Sequence, residues 1–394
     1  MNWKMRLERN WGRLGMKFNL SDLCDYAKGK IDVAILDEDT YISTENMMPN
    51  KGGITSASSL PTVVQTQAFS AGDVLVSNIR PYFKKIWFAE YDGGCSNDVL
   101  VFRANNGVSK RFLYYVLADD TFFDYSMATS KGTKMPRGDK AAIMEYGVPD
   151  FTFEEQEKIA GILEVLDRKI QINTKINDNL SKQIQLIYDH LADGLTGDSV
   201  ILSSIIDVRD GTHDSPKAVD DGFPLVTSKH LLPYGVDLST ANLISKDDFD
   251  KTNERSIVET HDILISMIGT VGLISLVIDN PVPFAIKNVG LFKTSKCPDL
   301  YAYILTYLRS TKTTQHIEKT LAGSTQKYIS LGELRKMPII LPDANQLNNF
   351  NNIVNPLIKQ ITNLTEENKR LAELRDTLLP KLMSGELDIS EVDI

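Results

Sequence analysis

The sequence writes one apolar seam twice, and nothing else in it constrains the fold as much. Ile159, Leu163, Leu166, Ile170, Asn173, Asn177, Leu180, Ile184, Ile187 and Leu191 follow one another at alternating steps of four and three. Adding 191 to each number gives Phe350, Val354, Leu357, Ile361, Leu364, Asn368, Leu371, Arg375, Leu378 and Leu382. An apolar repeat of about 3.5 residues is the mark of helices that pair along a seam. Arg375 interrupts the second seam, and Leu374 can fill the same turn. Asn177 and Asn368 hold equivalent seam positions, where a buried polar pair fixes register and orientation at a cost in stability. The plainer alternative is helix ends splayed enough to keep both side chains wet. Residues 154–193 run without a break, about 60 Å of helix. In the second helix Pro356 reads as a local irregularity and Pro380 lies near the end. A lone helix of this kind is marginal in water, so the two are expected to pack together. Gly194, Gly197 and Asp198 end the first.

The repetition extends upstream of the helices. Gly72-Asp73-Val74-Leu75-Val76-Ser77 resembles His261-Asp262-Ile263-Leu264-Ile265-Ser266, at an offset of 189. At 191, Asn97 falls on Asn288, Phe112-Leu113 on Tyr303-Ile304, Leu117 on Leu308, and Gly132-Thr133 on Gly323-Ser324; Gln156 lines up with Gln346 at 190. Shared order at a near-constant offset argues for a duplication. Each copy opens with a strand-rich segment carrying runs such as Val99-Leu100-Val101-Phe102 and Ile274-Ser275-Leu276-Val277-Ile278, punctuated by glycine and proline. A helical patch follows (111–119 and 300–308), then a proline boundary at Pro149 and Pro342, then the long helix. The expected organisation is a first globular domain over 1–153, a first long helix and linker over 154–198, a second globular domain over 199–341, and a second long helix with tail over 342–394. The expected fold class is α/β (α+β): two similar domains separated by two long antiparallel helices that form a coiled-coil rod, with a pseudo-twofold internal repeat.

Composition narrows the function. Hydrophobic residues are 42% and charged residues 24% of the chain, enough to bury sizeable cores. Cys24, Cys95 and Cys297 are widely spaced, which argues against a disulfide framework or a cysteine zinc site. No apolar run reaches about 18 residues, and no apolar stretch follows Met1-Asn2-Trp3-Lys4-Met5-Arg6, so a cytoplasmic protein without membrane contact is expected. There is no G-x-x-x-x-G-K-[ST], no H-E-x-x-H and no G-x-S-x-G. His190, His213, His230, His261 and His316 form no metal-ligand spacing, and no carboxylate pair is singled out. Gly269-Thr270-Val271-Gly272 reads as a turn.

Two similar but non-identical domains on a rigid spacer suit a target with two separated parts, such as duplex DNA with two half-sites. The net charge of −9 speaks mildly against this. Residues 154–193 carry −3 and residues 342–394 carry −4, however, so the globular domains and their short join hold only −2. Basic clusters occur there. Copy one has Arg80, Lys84 and Lys85, then Lys131, Lys134, Arg137 and Lys140; copy two has Lys229, Lys287, Lys293 and Lys327. Phosphate contacts supply most affinity for DNA, so partner subunits are expected to add many of them.

Several segments together resemble one family. The entry to the first helix, Val148-Pro149-Asp150-Phe151-Thr152-Phe153-Glu154-Glu155-Gln156-Glu157-Lys158-Ile159, resembles that of the specificity (S) subunits of Type I restriction–modification systems. The second copy, Leu341-Pro342-Asp343-Ala344-Asn345-Gln346, keeps the proline and glutamine but has Asn345 where Glu155 stands. Residues 321–329 resemble the family's end-of-domain segment, which is degenerate in copy one at Gly132-Thr133-Lys134-Met135. Residues 371–387 resemble its closing signature. Asp210-Gly211-Thr212-His213-Asp214-Ser215-Pro216 and Leu225-Val226-Thr227-Ser228-Lys229 are similar to a recurring opening of one subclass of recognition domain. The resemblance spans nearly the whole chain; residues 1–17 receive no role from it.

The resemblance implies a subunit without chemistry of its own. It would read two short DNA half-sites across a spacer set by the helices. Two modification subunits would bind S-adenosylmethionine and methylate adenine N6, and restriction–translocase subunits would use ATP and Mg²⁺. This chain lacks the [N/D]-P-P-[Y/F] motif of such methyltransferases. Candidate DNA contacts are the basic residues Arg80, Lys84, Lys85, Lys131, Lys134 and Arg137, the loop Gly211, Thr212 and His213, Ser228 and Lys229, and the segment Thr325, Gln326 and Lys327. Each has a plainer reading as a turn or a solvated face. Gln pairs with adenine, and Lys with guanine or phosphate. Asn97 and Asn288 are read as shared structural caps rather than DNA contacts. Glu154, Glu155, Gln156 and Gln346 are read as helix-start chemistry and a candidate docking surface for partner subunits. The alternative from another class is a two-domain protein-binding adaptor spaced by the same rod.

Overall fold

The computed structural model describes residues 18–148, 150–323, 327–387 and 389. The chain divides into two units, residues 1–170 with 370–394 and residues 171–369.

In the first unit a four-stranded antiparallel sheet runs in the order Cys24–Tyr26, Val99–Ala104, Val74–Ser77, Ile86–Phe88. Both its faces are buried, which is why its central strands read as unbroken apolar runs. Val74, Val76, Leu100 and Phe102 pack with Phe112, Val116 and Phe122 of the helices Lys110–Ala118 and Asp120–Ala128. Leu75, Val99 and Val101 face the other way, onto Ile42, Phe69 and Cys95. Those three belong to a second sheet, ordered Lys30–Asp32, Gln65–Phe69, Gly93–Cys95, Tyr41–Ile42, whose last pair is parallel. Burial pushes the free Cys95 thiol up to about 12.

The second unit repeats this plan. Its main sheet runs Val208–Asp210, Val289–Phe292, Ile263–Ser266, Ile274–Leu276, the same order as in the first. Its smaller sheet, Asn242–Ile244, Phe223–Val226, Ala285–Ile286, again ends in a parallel pair. Each copy is closed by a short antiparallel pair: Phe18–Asn19 with Gly147–Val148, and Val200–Ile201 with Pro338–Ile339. The helices Tyr301–Arg309, Thr311–Thr320 and Leu331–Lys336 begin 191 residues after Lys110–Ala118, Asp120–Ala128 and Lys140–Met144. A charged pair recurs too. Asp73 receives Arg103 at 2.6 Å, and Asp262 receives Lys293 at 2.5 Å. Lys293 is therefore not a surface cation. Its side chain is fully buried, held also by Glu259 at 2.7 Å and the Ile257 carbonyl at 3.0 Å.

The long helices are Phe153–Asp193, of 41 residues, and Ala344–Met383, of 40. Every seam position is buried or half-buried. Ile159 and Leu163 join the first unit's core with Leu379, Leu382 and Met383. Leu180 and Ile184 join the second unit's core with Phe350, Val354 and Ile361. Arg375 does not open the seam in the expected way. It lies inside the first unit with Asp167 at 2.8 Å, while Leu374 points outward, 46% exposed. Burial works against the Arg375 charge, but Asp167 and Asp376 outweigh it and raise its pKa.

In the second unit Asn177 and Asn368 do not bond to each other. Asn177 donates to Thr365 Oγ1 at 3.2 Å, and Asn368 donates to Thr174 Oγ1 at 3.3 Å. These two bonds interchange under the offset of 191. The polar residue fully buried in the seam is Asn173, which donates to Glu367 at 2.7 Å and to Asn368 Oδ1 at 2.9 Å.

Candidate nucleic-acid interface

In the first domain two loops meet beyond the central strand Val74–Ser77. One is Arg80–Lys84, whose Pro81–Phe83 core is a tight 3₁₀ turn. The other is the hairpin from Lys131 to Arg137, closed by reciprocal backbone bonds of 2.9 and 3.0 Å between those two residues. The Arg80 N–H donates to the Pro136 carbonyl at 2.8 Å and joins the loops. The second domain shows the same pairing at its described residues: Ala322 bridges antiparallel to Tyr328, and Ile268 bridges to Tyr328. Gly132 and Gly323 sit at equivalent left-handed positions, φ +95° and +93°, as a turn there requires.

The basic candidates differ in how free they are. Lys84 and Lys51 both grip Asp120, at 2.8 and 3.0 Å. Burial would raise the Asp120 carboxyl, but the two lysines outweigh it and hold it below the ordinary range. Lys85 donates to the Thr44 carbonyl at 2.6 Å, and burial lowers its pKa. Lys131 pairs with Asp139 at 2.5 Å and Arg137 with Asp98 at 3.0 Å. Lys134 is exposed on the hairpin. Arg80 has no ion-pair partner among the described residues, and its Nε is buried without a hydrogen bond. Exposed Tyr82 and Phe83 lie between Arg80 and Lys84, their ring centroids 4.7 Å apart. Sequence reasoning passed over this aromatic pair; comparing residues 79–84 with 268–273, at the offset of Gly72 and His261, could have found it.

In the second domain the Gly211–His213 loop lies against the turn before Val289–Phe292. His213 sits between Asn288 Oδ1, 2.8 Å from its Nδ1, and Asp210 Oδ2, 3.1 Å from its Nε2. Its ring is still 63% exposed. Asp210 is buried and also pairs with Arg255. The loop and the helix Lys246–Ser256 line a cavity of about 320 Å³ that includes Thr212, His213, Lys251 and Arg255. Asn288 thus fastens this loop, whereas Asn97 is exposed in the corresponding turn. A Cβ at Gly211 would run into the Ile286 carbonyl. Gly211→Ala should destabilise the unit by about 1–3 kcal/mol, read by urea unfolding; an unchanged midpoint would show that the loop yields freely. Ser228 and Lys229 form a 3₁₀ turn with His230, and Lys229 is exposed. Burial lowers the His230 pKa and favours a neutral ring, whose Nδ1 accepts from the Thr227 N–H at 2.9 Å. Lys287 reaches the Ser215 hydroxyl, and Lys327 is exposed. Thr325, Gln326, Pro149 and residues 1–17 lie outside the described residues. Among the described residues no three His, Cys, Asp or Glu converge as metal ligands, and no helix is long and apolar enough to cross a membrane.

The profile of the Type I restriction modification DNA specificity domain matches residues 15–182 and 218–374. The chain belongs to that family. It is similar to the Type I restriction enzyme MjaIX specificity subunit of Methanocaldococcus jannaschii, 25% identical over 313 residues that cover 73% of this chain and 71% of that one. It is also similar to the HindI specificity subunit of Haemophilus influenzae, at 23% identity over 94% of this chain and 99% of the relative. A solved S subunit from M. genitalium aligns over 93% of this chain and 95% of its own, with a TM-score of 0.48 and 18% identity. Specificity subunits are non-catalytic components of the restriction–modification complex, and this one is of that kind.

The helix starts of this specificity subunit are built by capping boxes. In the first, the Thr152 N–H donates to Glu155 at 2.8 Å, and the Glu155 N–H donates back to the Thr152 hydroxyl at 3.3 Å. In the second, Asp343 and Gln346 exchange bonds of 2.9 and 2.8 Å. Gln346 is therefore the counterpart of Glu155, at an offset of 191, and not of Gln156. Asn345 replaces Glu154, so the capping position is kept. Gln156 turns inward: it accepts from the Ser109 N–H at 3.0 Å and donates to the Phe151 carbonyl at 2.9 Å. Of the four docking candidates, Glu154 and Gln156 thus stand at opposite extremes, exposed and buried.

Proposed function

We propose that this specificity subunit reads a bipartite DNA target, one half per globular domain, and that its long helices set the gap between the halves and dock two modification subunits. The observation that carries this reading is the duplication itself. The same sheet order and the same three helices occur twice, each time followed by a helix of about 40 residues. The surface loops of the two copies differ in chemistry while the framework does not, as two recognition modules for different half-sites require. The bonds from Asn177 to Thr365 and from Asn368 to Thr174 support antiparallel, pseudo-twofold pairing of the helices. S-adenosylmethionine, ATP and Mg²⁺ belong on the modification and restriction–translocase partners, in the cytoplasm.

The test is genome-wide mapping of N6-methyladenine in cells carrying this chain with its modification subunit. The expected result is one motif with two short specific parts around a fixed gap. An uninterrupted motif would overturn the reading. So would a complex that is expressed and assembled yet binds DNA without selectivity.

A further inference from the structure

The loop after the central strand is present in both domains with contrasting chemistry. In the second domain it is Gly269-Thr270-Val271-Gly272, with φ of +81° and +92° at its glycines. In the first it is Arg80-Pro81-Tyr82-Phe83-Lys84, with φ of +50° at Arg80 and +51° at Lys84. The two loops occupy the same place, since Ile79 bridges to Arg137 as Ile268 bridges to Tyr328. The left-handed backbone is thus a property of the framework. The second domain meets it with the residue that tolerates it. The first places long cationic side chains there instead, where a Cβ is strained.

Asn50 and Lys51 add to the strain, with φ of +55° and +61°. Their N–H groups donate to the Phe83 and Lys84 carbonyls at 2.8 and 2.9 Å. Four of the six non-glycine left-handed residues among those described therefore lie in this one patch. Such strain persists where the surroundings enforce it, and it gathers at functional sites. Here it holds the Tyr82 and Phe83 rings outward, 49% and 38% exposed. Beside them stands Arg80 with no acidic partner among the described residues, while Asp120 occupies Lys51 and Lys84. A rigid aromatic pair flanked by an unpaired guanidinium has the chemistry to stack on or wedge between bases and to hold a phosphate.

We propose that the Arg80–Lys84 loop is the determinant by which the first domain reads its half-site, with Tyr82 and Phe83 on the bases and Arg80 on the DNA backbone. The glycine loop leaves the second domain without this contact. The proposal rests on the reading that each domain takes one half of the target.

The experiment uses the full subunit assembled with its modification subunits. Two variants are compared with the native complex: Tyr82→Ala combined with Phe83→Ala, and Arg80→Gly. Exchange of residues 199–341 tells which half of the motif belongs to the first domain. Both variants should methylate about ten- to a hundredfold more slowly. Loss of the aromatic pair should relax bases in that half only, and Arg80→Gly, which removes a backbone contact, should slow methylation with the motif kept. Arg80→Gly should melt at the same temperature or higher, because glycine suits the left-handed backbone. A merely structural arginine would give that melting result with no loss of methylation. Native rate and motif in both variants, or bases relaxed equally at both halves by loss of the aromatic pair, would overturn the proposal. A native complex with no two-part motif would instead overturn the bipartite reading, and the loop proposal with it.

Discussion

Exchanging residues 199–341 for the matching segment of a specificity subunit with a different target should change one half of the methylated motif and leave the other half and the gap as they were. The segment is suited to exchange because its ends are neighbours. Val200 pairs with Ile339 and Ile201 with Pro338, so the chain enters and leaves through one two-stranded clasp. Modules whose termini lie close together tolerate insertion and replacement. The exchange keeps the helical residues Leu180, Ile184, Phe350 and Val354, against which the incoming core must pack. Each wrong base pair in a recognition site costs about 1–3 kcal/mol. Two or three altered positions therefore suffice to move methylation from the old half-site to the new one. Mapping N6-methyladenine reads the result directly. A change in both halves, or in the gap, would show that the domains do not read independently.

Much of this architecture was legible because the duplication constrains the sequence twice. The heptad seam and the helical patches at 111–119 and 300–308 leave periodic signals, and their structural counterparts fall where the period puts them. What was not legible depends on long-range contacts. The interruption at Arg375 reads as a fault until Asp167, 2.8 Å away, supplies its partner. The buried polar seam residue is Asn173 rather than the matched Asn177 and Asn368, because Glu367 and Asn368 reach it from the second helix. Gln346 looks like Gln156 by residue type, yet its hydrogen bonds are those of Glu155. The candidate DNA surface was harder still. Charge alone could not separate Arg80, which lacks an ion partner among the described residues, from Lys84, which Asp120 holds. Nor could it show that two cations sit on left-handed backbone, since that follows from the equivalent glycines in the other copy.

Lys293→Met should unfold the second domain far more readily than Arg103→Met unfolds the first, although the two residues hold the same place in the repeat. Lys293 and Asp262 both have fully buried side chains, 2.5 Å apart, whereas the Arg103 side chain is 45% exposed over Asp73. Removing one member of a buried pair leaves the other charged and unpaired, at about 3–5 kcal/mol. Asp262 keeps bonds from the Glu259 and Ser295 N–H groups at 2.8 and 3.1 Å, so the lower end is expected. Asp73 is buried, 4% exposed, but water reaches the Arg103 guanidinium, screens the pair and can take its place, so the loss there should be about 1–2 kcal/mol. Urea unfolding, with hydrogen exchange to localise the transition, separates the two. Asp262→Asn added to Lys293→Met should recover most of the loss, because no lone charge then remains inside. The pH dependence carries a further sign. Lys293, through a hydrogen bond and its charge, holds the Glu259 carboxyl below its ordinary value. That contribution is present above the unfolded glutamate pKa and fades as pH falls through the lower folded value. The native domain should therefore lose stability in that acid window, and Lys293→Met, already without the pair, should lose less of it there. Equal destabilisation by Lys293→Met and Arg103→Met would mean that burial does not decide what this repeated pair contributes.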